Sequence, residues 1–326
     1  MPVPASVLYP PFNIVRLSHV EYRVTDLARS RAFYVDLLGL QVTHEAPGAL
    51  YLRAMEERGH HSIALIQADR AEVGVLGFKL YDEPDLDKAA DWFAAQGLPV
   101  EWVDRPFMGR TLRTRDPWGI PLEFYVKMDR LPWIHQRYAL YKGVKALRID
   151  HFNMFASDVD AATAFYNDIG FRATEYTEDA ETGKCWAVWM HRKGGVHDIA
   201  FTNGTGPRLH HTAFWTANPL HIIDLLDIMS TTGWLEAIER GPGRHGISNA
   251  FFLYIRDPDL NRIEIYCSDY QTVDPDHEPI KWDLQDPQRQ TLWGAPAPRS
   301  WFEEGSLFAG ARLAESALKA QPIVAP

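Results

Sequence analysis

Gly241-Pro242-Gly243-Arg244-His245-Gly246-Ile247-Ser248-Asn249-Ala250-Phe251-Phe252-Leu253-Tyr254-Ile255-Arg256-Asp257-Pro258-Asp259-Leu260-Asn261-Arg262-Ile263-Glu264-Ile265-Tyr266 holds a glycine-rich loop, two strands and the turn between them. Phe251 to Arg256 reads as a buried strand, Asp257-Pro258 opens a turn, and Arg262 to Cys267 reads as a second strand. Alternation puts Arg262, Glu264 and Tyr266 on one face and Ile263, Ile265 and Cys267 on the other. A glutamate between two isoleucines in a core strand is costly unless it is paired or binds a metal. Glu264 is therefore the first pointer to chemistry.

Working outward, the turn and second strand have an earlier echo. Arg115-Asp116-Pro117-Trp118-Gly119-Ile120-Pro121-Leu122-Glu123-Phe124-Tyr125 matches Arg256 to Tyr266, with Glu123 opposite Glu264. The segment Leu17–Leu40 is echoed by Ile149–Phe171: His19 aligns with His151, Asp26 with Asp158, Phe33-Tyr34 with Phe165-Tyr166, and Gly39 with Gly170. His61-Ser62-Ile63-Ala64-Leu65 aligns with His197-Asp198-Ile199-Ala200-Phe201. Anchors that keep their order and spacing imply a duplicated module. Each copy reads strand, helix, then several strands. Asp26 is a predicted N-cap for a helix over Leu27–Leu38, and helical pattern returns at Asp85–Gln96 and Leu220–Thr231. The fold class is α+β.

A length of 326 residues suggests about two domains. The expected division is 1–140, 141–270, and a C-terminal tail from 271 to 326 that packs over the active-site region. The tail carries Trp282, Trp293 and Trp301, which favour packing onto the body, while Gln321 to Pro326 are expected to be disordered. No apolar run is long enough to span a membrane, and the proline-rich start does not read as a secretory signal. Two cysteines, Cys185 and Cys267, suit a reduced cytoplasmic protein. A net charge of −10 argues against a nucleic-acid partner.

Two histidines and one carboxylate on one face of a metal are the donor set of non-haem Fe(II) oxygenases. The second module offers His151 in its first strand, His211 in Leu209-His210-His211-Thr212, and Glu264. A lone strand histidine is ordinarily a core residue bonded to backbone; three such groups at inner-face positions of one module outweigh that reading. His210 competes with His211. Alternation lets only one of them face inward, and the repeat parity selects His211. The first module keeps His19 and Glu123 but has Val75 opposite His211. One metal per chain is expected, in the second half.

With Asp150-His151-Phe152-Asn153, Trp189-Met190-His191-Arg192-Lys193, Val196-His197-Asp198 and Gly206-Pro207-Arg208-Leu209-His210-His211, the chain resembles the type I extradiol ring-cleaving dioxygenases of the vicinal oxygen chelate superfamily, and among them those acting on 3,4-dihydroxyphenylacetate (homoprotocatechuate). The resemblance runs from Val15 to about Glu304. It implies tandem paired βαβββ modules (a glyoxalase-like fold), with His151, His211 and Glu264 binding Fe(II), or Mn(II) in some relatives. It further implies His197 as acid and base, Tyr254 and His245 as hydrogen-bonding partners of the catechol and oxygen, and Asn153 and Trp189 as pocket walls. Arg240 and Arg289 would meet the substrate carboxylate. A homotetramer is also implied. Two departures stand out. Leu260 replaces a turn glycine that the first module keeps as Gly119, and Arg289-Gln290 replaces a pair of arginines.

The expected reaction is O₂-dependent cleavage of a catechol beside its diol, giving a hydroxymuconic semialdehyde. Histidine suits the proton transfers because its ordinary pKa is about 6.5. An alkyl, aryl or carboxylated catechol is an alternative substrate. A glyoxalase-type isomerase would want a fourth protein ligand, and a metal-free binding protein would not need the triad.

Overall fold

The computed structural model describes residues 2–318, so the expectation for Gln321 to Pro326 lies outside the described residues. In the first half, β1 (Ile14–Val24), α1 (Leu27–Ala32), β2 (Gln41–Ala46), β3 (Ala49–Arg53) and β4 (Ile63–Gln67) form one βαβββ motif. Then β5 (Glu72–Leu80), α2 (Glu83–Ala95), β6 (Glu101–Val103), β7 (Thr111–Arg115) and β8 (Pro121–Tyr125) form another. The strand order β2-β3-β4-β1-β5-β8-β7-β6 joins the two motifs through their first strands, which run antiparallel.

The second half repeats the plan. Its third motif is β9 (Arg148–Ala156), α3 (Val159–Asp168), β10 (Arg172–Asp179), β11 (Lys184–His191) and β12 (Ile199–Asn203). Its fourth is β13 (Arg208–Trp215), α4 (Pro219–Thr231), β14 (Ile238–Arg244), β15 (Phe251–Arg256) and β16 (Arg262–Cys267). Their order, β10-β11-β12-β9-β13-β16-β15-β14, is the first-half order again. The tail contributes β17 (Ile280–Asp283) beside β10, β18 (Trp293–Gly294) beside β14 and β19 (Ser306–Leu307) beside β13, with α5 (Arg299–Glu303) before the last. Of the three tail tryptophans only Trp301 is buried; Trp293 stays half exposed.

Local chemistry explains the helix starts. Asp26 and Asp158 have extended backbones, and their side chains accept from the N–H groups of Arg29 and Ala161. The helix expected over Leu27–Leu38 is α1 followed by a π-turn at Phe33–Leu37, and Gly39 ends it with φ +77°.

One apolar core runs through both halves, and Phe78 packs edge-on against Phe152 and Phe171 across the boundary. The halves also exchange caps. Asp198 accepts from the Leu17 N–H at 2.9 Å, and Glu57 accepts from the Ile149 N–H at 2.8 Å. Leu17 and Ile149 are repeat counterparts, so each first strand is fixed by the opposite half.

The Leu260 departure does not alter the turn. Asp257 accepts from the Asp259 and Asn261 N–H groups at 2.9 and 2.8 Å, as Asp116 accepts from Trp118 and Ile120 at 3.0 and 2.8 Å. Leu260 takes the left-handed backbone, φ +65°, that Gly119 takes at +97°.

Candidate metal centre

Four neighbouring strands carry the core of the site: β9 with His151, β13 with His211, β16 with Glu264 and β15 with Tyr254. Ala213 lies in register opposite both His151 and Glu264, and Tyr254 lies opposite Glu264. The small Ala213 side chain leaves room for the donor atoms on either side to meet. His151 Nε2 is 2.9 Å from Glu264 Oε2 and 3.1 Å from His211 Nε2; His211 Nε2 is 3.1 Å from the same carboxylate oxygen. Adjacent ligands of one octahedral ion with bonds of about 2.1 Å stand about 3.0 Å apart, so this triangle has the size of a facial donor set.

The proton positions make the same point. His151 Nδ1 faces the Asp150 carboxylate at 3.1 Å, which assigns the ring proton to that side and leaves Nε2 bare. His210 Nε2 faces the Trp301 carbonyl at 2.9 Å and must carry a proton. The buried His210 ring is then an acceptor at Nδ1, 2.6 Å from His211 Nδ1. The His211 proton therefore sits on Nδ1, and its Nε2 is bare too. Three donor atoms of metal-ligating type converge in one buried site. A divalent cation fits that arrangement. Among the described residues this is the only group of three such side chains close enough to hold one ion.

The surroundings favour an anionic carboxylate and a neutral His211, while Asp150 and Glu264 outweigh burial and raise His151. Burial alone would raise the Glu264 carboxyl, yet His151 and His211 hold it well below the usual range. Burial likewise opposes ionisation of Asp150, but Lys193, His151 and Arg148 hold its carboxyl low. Burial pushes His211 down to about 4 and His245 down to about 3.

The cavity above the triad holds about 50 Å³ of space for water-sized molecules. His197, Asn153, Trp189, His245, Tyr254 and Arg289 all line it. His197 lies over His151 with ring centroids 3.8 Å apart, and its Nδ1 is buried without a hydrogen-bond partner. His245 Nδ1 donates to the Gln290 carbonyl, so its Nε2 receives the Tyr254 hydroxyl hydrogen at 2.9 Å. Asn153 Oδ1 accepts from Thr202 at 3.2 Å. Arg289 is buried against Trp186, and among the described residues only its Nε is hydrogen-bonded, to the Leu284 carbonyl at 3.1 Å.

Arg240 stands next to the residues that line the cavity, with Nε and Nη1 buried and without hydrogen-bond partners among the described residues. Its guanidinium lies behind the wall, 4.6 Å from the Trp301 ring and 4.8 Å from Phe252, and donates to the Gln290 carbonyl and Thr291. Register shifts on both sides of Arg240 in β14 turn it there. A shift between Leu209 and His211 similarly brings both His210 and His211 to the cavity, where plain alternation admits one. Residues outside the sequence expectation also line the site: Trp186, Ser248, Tyr266 and Trp301. Tyr266 shares the face of Glu264 by parity and could have been found that way.

Among the described residues, the first half has no such centre. Val75 pairs with Glu21 as His211 pairs with Asn153, which places Val75 where the third donor would be. His19 Nε2 is 3.1 Å from Glu123, and guanidinium groups of Arg105 and Arg113 lie 3.2 and 2.8 Å from the same carboxylate. Burial opposes ionisation of Glu123, but His19 and the two arginines bring it to about 2. Guanidinium charge occupies the role a metal would have.

Comparison with known proteins agrees with this geometry. The family model described as "Glyoxalase/Bleomycin resistance protein/Dioxygenase superfamily" matches residues 16–124 and 148–265. The chain belongs to that superfamily, among its extradiol ring-cleaving dioxygenases. It is 31% identical over 314 residues to a metapyrocatechase of Geobacillus stearothermophilus, covering 91% of this chain and 95% of the relative. It is 29% identical over 300 residues to a manganese-dependent 2,3-dihydroxybiphenyl 1,2-dioxygenase of Geobacillus genomosp. 3, covering 87% and 95%. Among solved structures, homoprotocatechuate 2,3-dioxygenase of Brevibacterium fuscum, in anaerobic complex with 3,4-dihydroxyphenylacetate, superposes with a TM-score of 0.90 at 43% identity over 96% of this chain and 99% of that one.

Proposed function

We propose that this chain cleaves 3,4-dihydroxyphenylacetate, or a catechol with a similar anionic side chain, beside the diol, using O₂ and Fe(II) or Mn(II) held by His151, His211 and Glu264. The observation that carries the reading is the convergence of His151, His211 and Glu264 donor atoms at the floor of the cavity. Held there by His151, His211 and Glu264, a divalent metal would make the catechol hydroxyls more acidic and join catechol and O₂ at one centre.

The chain's own groups do the rest. His197 is neutral, because burial and the neighbouring His151 push it well below its ordinary value. In that form it takes a proton from the entering catechol and returns it as the oxygen–oxygen bond breaks. Tyr254 turns its O–H from His245 to the substrate oxygen, and His245 holds the phenol at the right place. Asn153 and Trp189 shape the wall. Arg289, with both terminal nitrogens free of partners among the described residues, meets the side-chain carboxylate. Arg240 supports that end from behind through Gln290 and Trp301.

The 3,4-dihydroxyphenylacetate complex of the Brevibacterium fuscum relative supports the substrate class. The manganese-dependent relative supports Mn(II), while Fe(II) comes from the resemblance alone. We further propose a cytoplasmic homotetramer. The two free, buried cysteines support the compartment, the tetramer comes from the resemblance alone, and light scattering reads it directly. No helix of the described residues is long and apolar enough to cross a membrane.

A catechol panel tests the reading. Protein loaded anaerobically with Fe(II) or Mn(II) is mixed with each catechol and then with air. The yellow semialdehyde should form with the highest kcat/KM from 3,4-dihydroxyphenylacetate, and Arg289→Met should raise KM for that substrate far more than for catechol. No colour from any catechol by metal-loaded protein would remove the reading.

A further inference from the structure

Among the described residues, His210 is the one imidazole lining the cavity that the chemistry above does not use. It stands between two fixed points. Its Nε2 is 2.9 Å from the Trp301 carbonyl, in tail helix α5, and its Nδ1 is 2.6 Å from His211 Nδ1. Trp301 packs edge-on against the His210 ring at 4.3 Å, and its indole lies 4.3 Å from the Tyr254 ring. Arg262, on β16 beside Glu264, donates to the His210 carbonyl at 2.8 Å and to tail carbonyls of Glu304 and Ser300 at 3.1 Å each.

A carbonyl oxygen carries no proton, so it fixes the proton of His210 on Nε2. A neutral imidazole with its proton there can only accept at Nδ1. His211 must then donate from its own Nδ1, and its Nε2 lone pair is turned toward His151 and Glu264. The orientation of a tail backbone carbonyl is thus converted into the tautomer of one of the three donors.

We propose that His210 is a positioning residue that couples docking of the tail at Trp301 to metal retention by His211. The proposal rests on the metal reading of His151, His211 and Glu264. Because coupling is reciprocal, metal bound at the triad also steadies the tail.

The test compares the full-length wild-type protein with His210→Phe and His210→Gln, using Zn(II) and Mn(II) with a competing chelator. Partners that orient a ligating histidine typically change metal affinity by about 10–100-fold, and that is the loss expected for H210F. Glutamine can accept from His211 with its oxygen and donate to Trp301 with its nitrogen, so H210Q should recover most of the affinity. Hydrogen exchange over residues 299–304 is the second readout. Metal should slow exchange there in the wild type and in H210Q, but not in H210F. If wild type binds neither metal, the triad reading itself fails. If wild type binds and H210F binds equally well, or H210Q binds as weakly as a substitution without hydrogen bonds, or metal leaves tail exchange unchanged, the coupling is overturned. Should H210F not fold, wild type against H210Q and the metal dependence of tail exchange decide alone.

Discussion

Tyr34 donates its hydroxyl hydrogen to the Asp257 carboxylate at 2.8 Å, from the first half of the chain into the second. Its repeat counterpart does the reverse: Tyr166 donates to Asp116 at 3.2 Å. Each Asp-Pro turn is held by a tyrosine from the other half. The turn that precedes Glu264 is therefore anchored by a helix of the module without a metal centre, which gives the first half a structural part in the site.

That pairing has a pH signature. Burial raises Asp257 to about 6 and Asp116 to about 7, against the partial opposition of their hydrogen bonds. A carboxyl whose pKa is higher in the folded state stabilises the fold when protonated. Its contribution is fully present below the unfolded value of about 4 and is lost as pH rises through about 6 to 7. Asp257→Asn should flatten part of the fall in melting temperature between about pH 4 and about pH 6. Tyr34→Phe should cost about 1 kcal/mol. A D257N melting profile with the wild-type slope would refute the assignment.

Leu260 sits at φ +65° and is 66% exposed. The left-handed conformation costs a non-glycine residue roughly 1–2 kcal/mol, and glycine's greater freedom in the unfolded chain returns about 0.4–1 kcal/mol of that. Leu260→Gly should therefore stabilise the chain by about 0.5–1 kcal/mol, seen as a small rise in melting temperature. A fall would mean that another copy covers the leucine in solution, and light scattering of L260G would show the loss of that assembly.

Glu264→Gln removes the only anionic donor of the triad. Metal affinity should fall by more than about 100-fold, the upper end of what loss of a mere supporting partner costs. Metal analysis after dialysis against weak chelator reads this, with circular dichroism showing that the fold persists. Full occupancy in E264Q would refute the ligand assignment.

His197→Phe keeps a flat ring over His151 but no proton acceptor. Metal content and catechol binding should stay near wild type, while kcat falls about 10²–10⁴-fold, the range for a lost general acid–base. Unchanged turnover would end that role for His197.

Much of this was legible in the sequence because it rests on period-two alternation and on order-preserving repeats. Glu264, His211 and the Val75 equivalence follow from parity, and the strands Phe251–Arg256 and Arg262–Cys267 have the boundaries the pattern predicts. Register shifts on both sides of Arg240 in β14 set its direction locally, which no strand period encodes. The partnership of His210 was hidden for the same reason in β13, where a shift turns neighbours to one side. Trp301 reaches the site from a tail whose path no periodicity encodes. Leu260 signalled a different turn, yet the Asp257 side chain imposes the same one.

The most direct test of the central claim is oxygen uptake with product mass, measured on the Fe(II)- or Mn(II)-loaded protein given 3,4-dihydroxyphenylacetate. The account predicts one O₂ consumed per catechol and a ring-opened yellow product whose mass is that of the catechol plus both oxygen atoms. Metal-loaded protein that binds the catechol but takes up no oxygen, or that yields only the quinone, would contradict it.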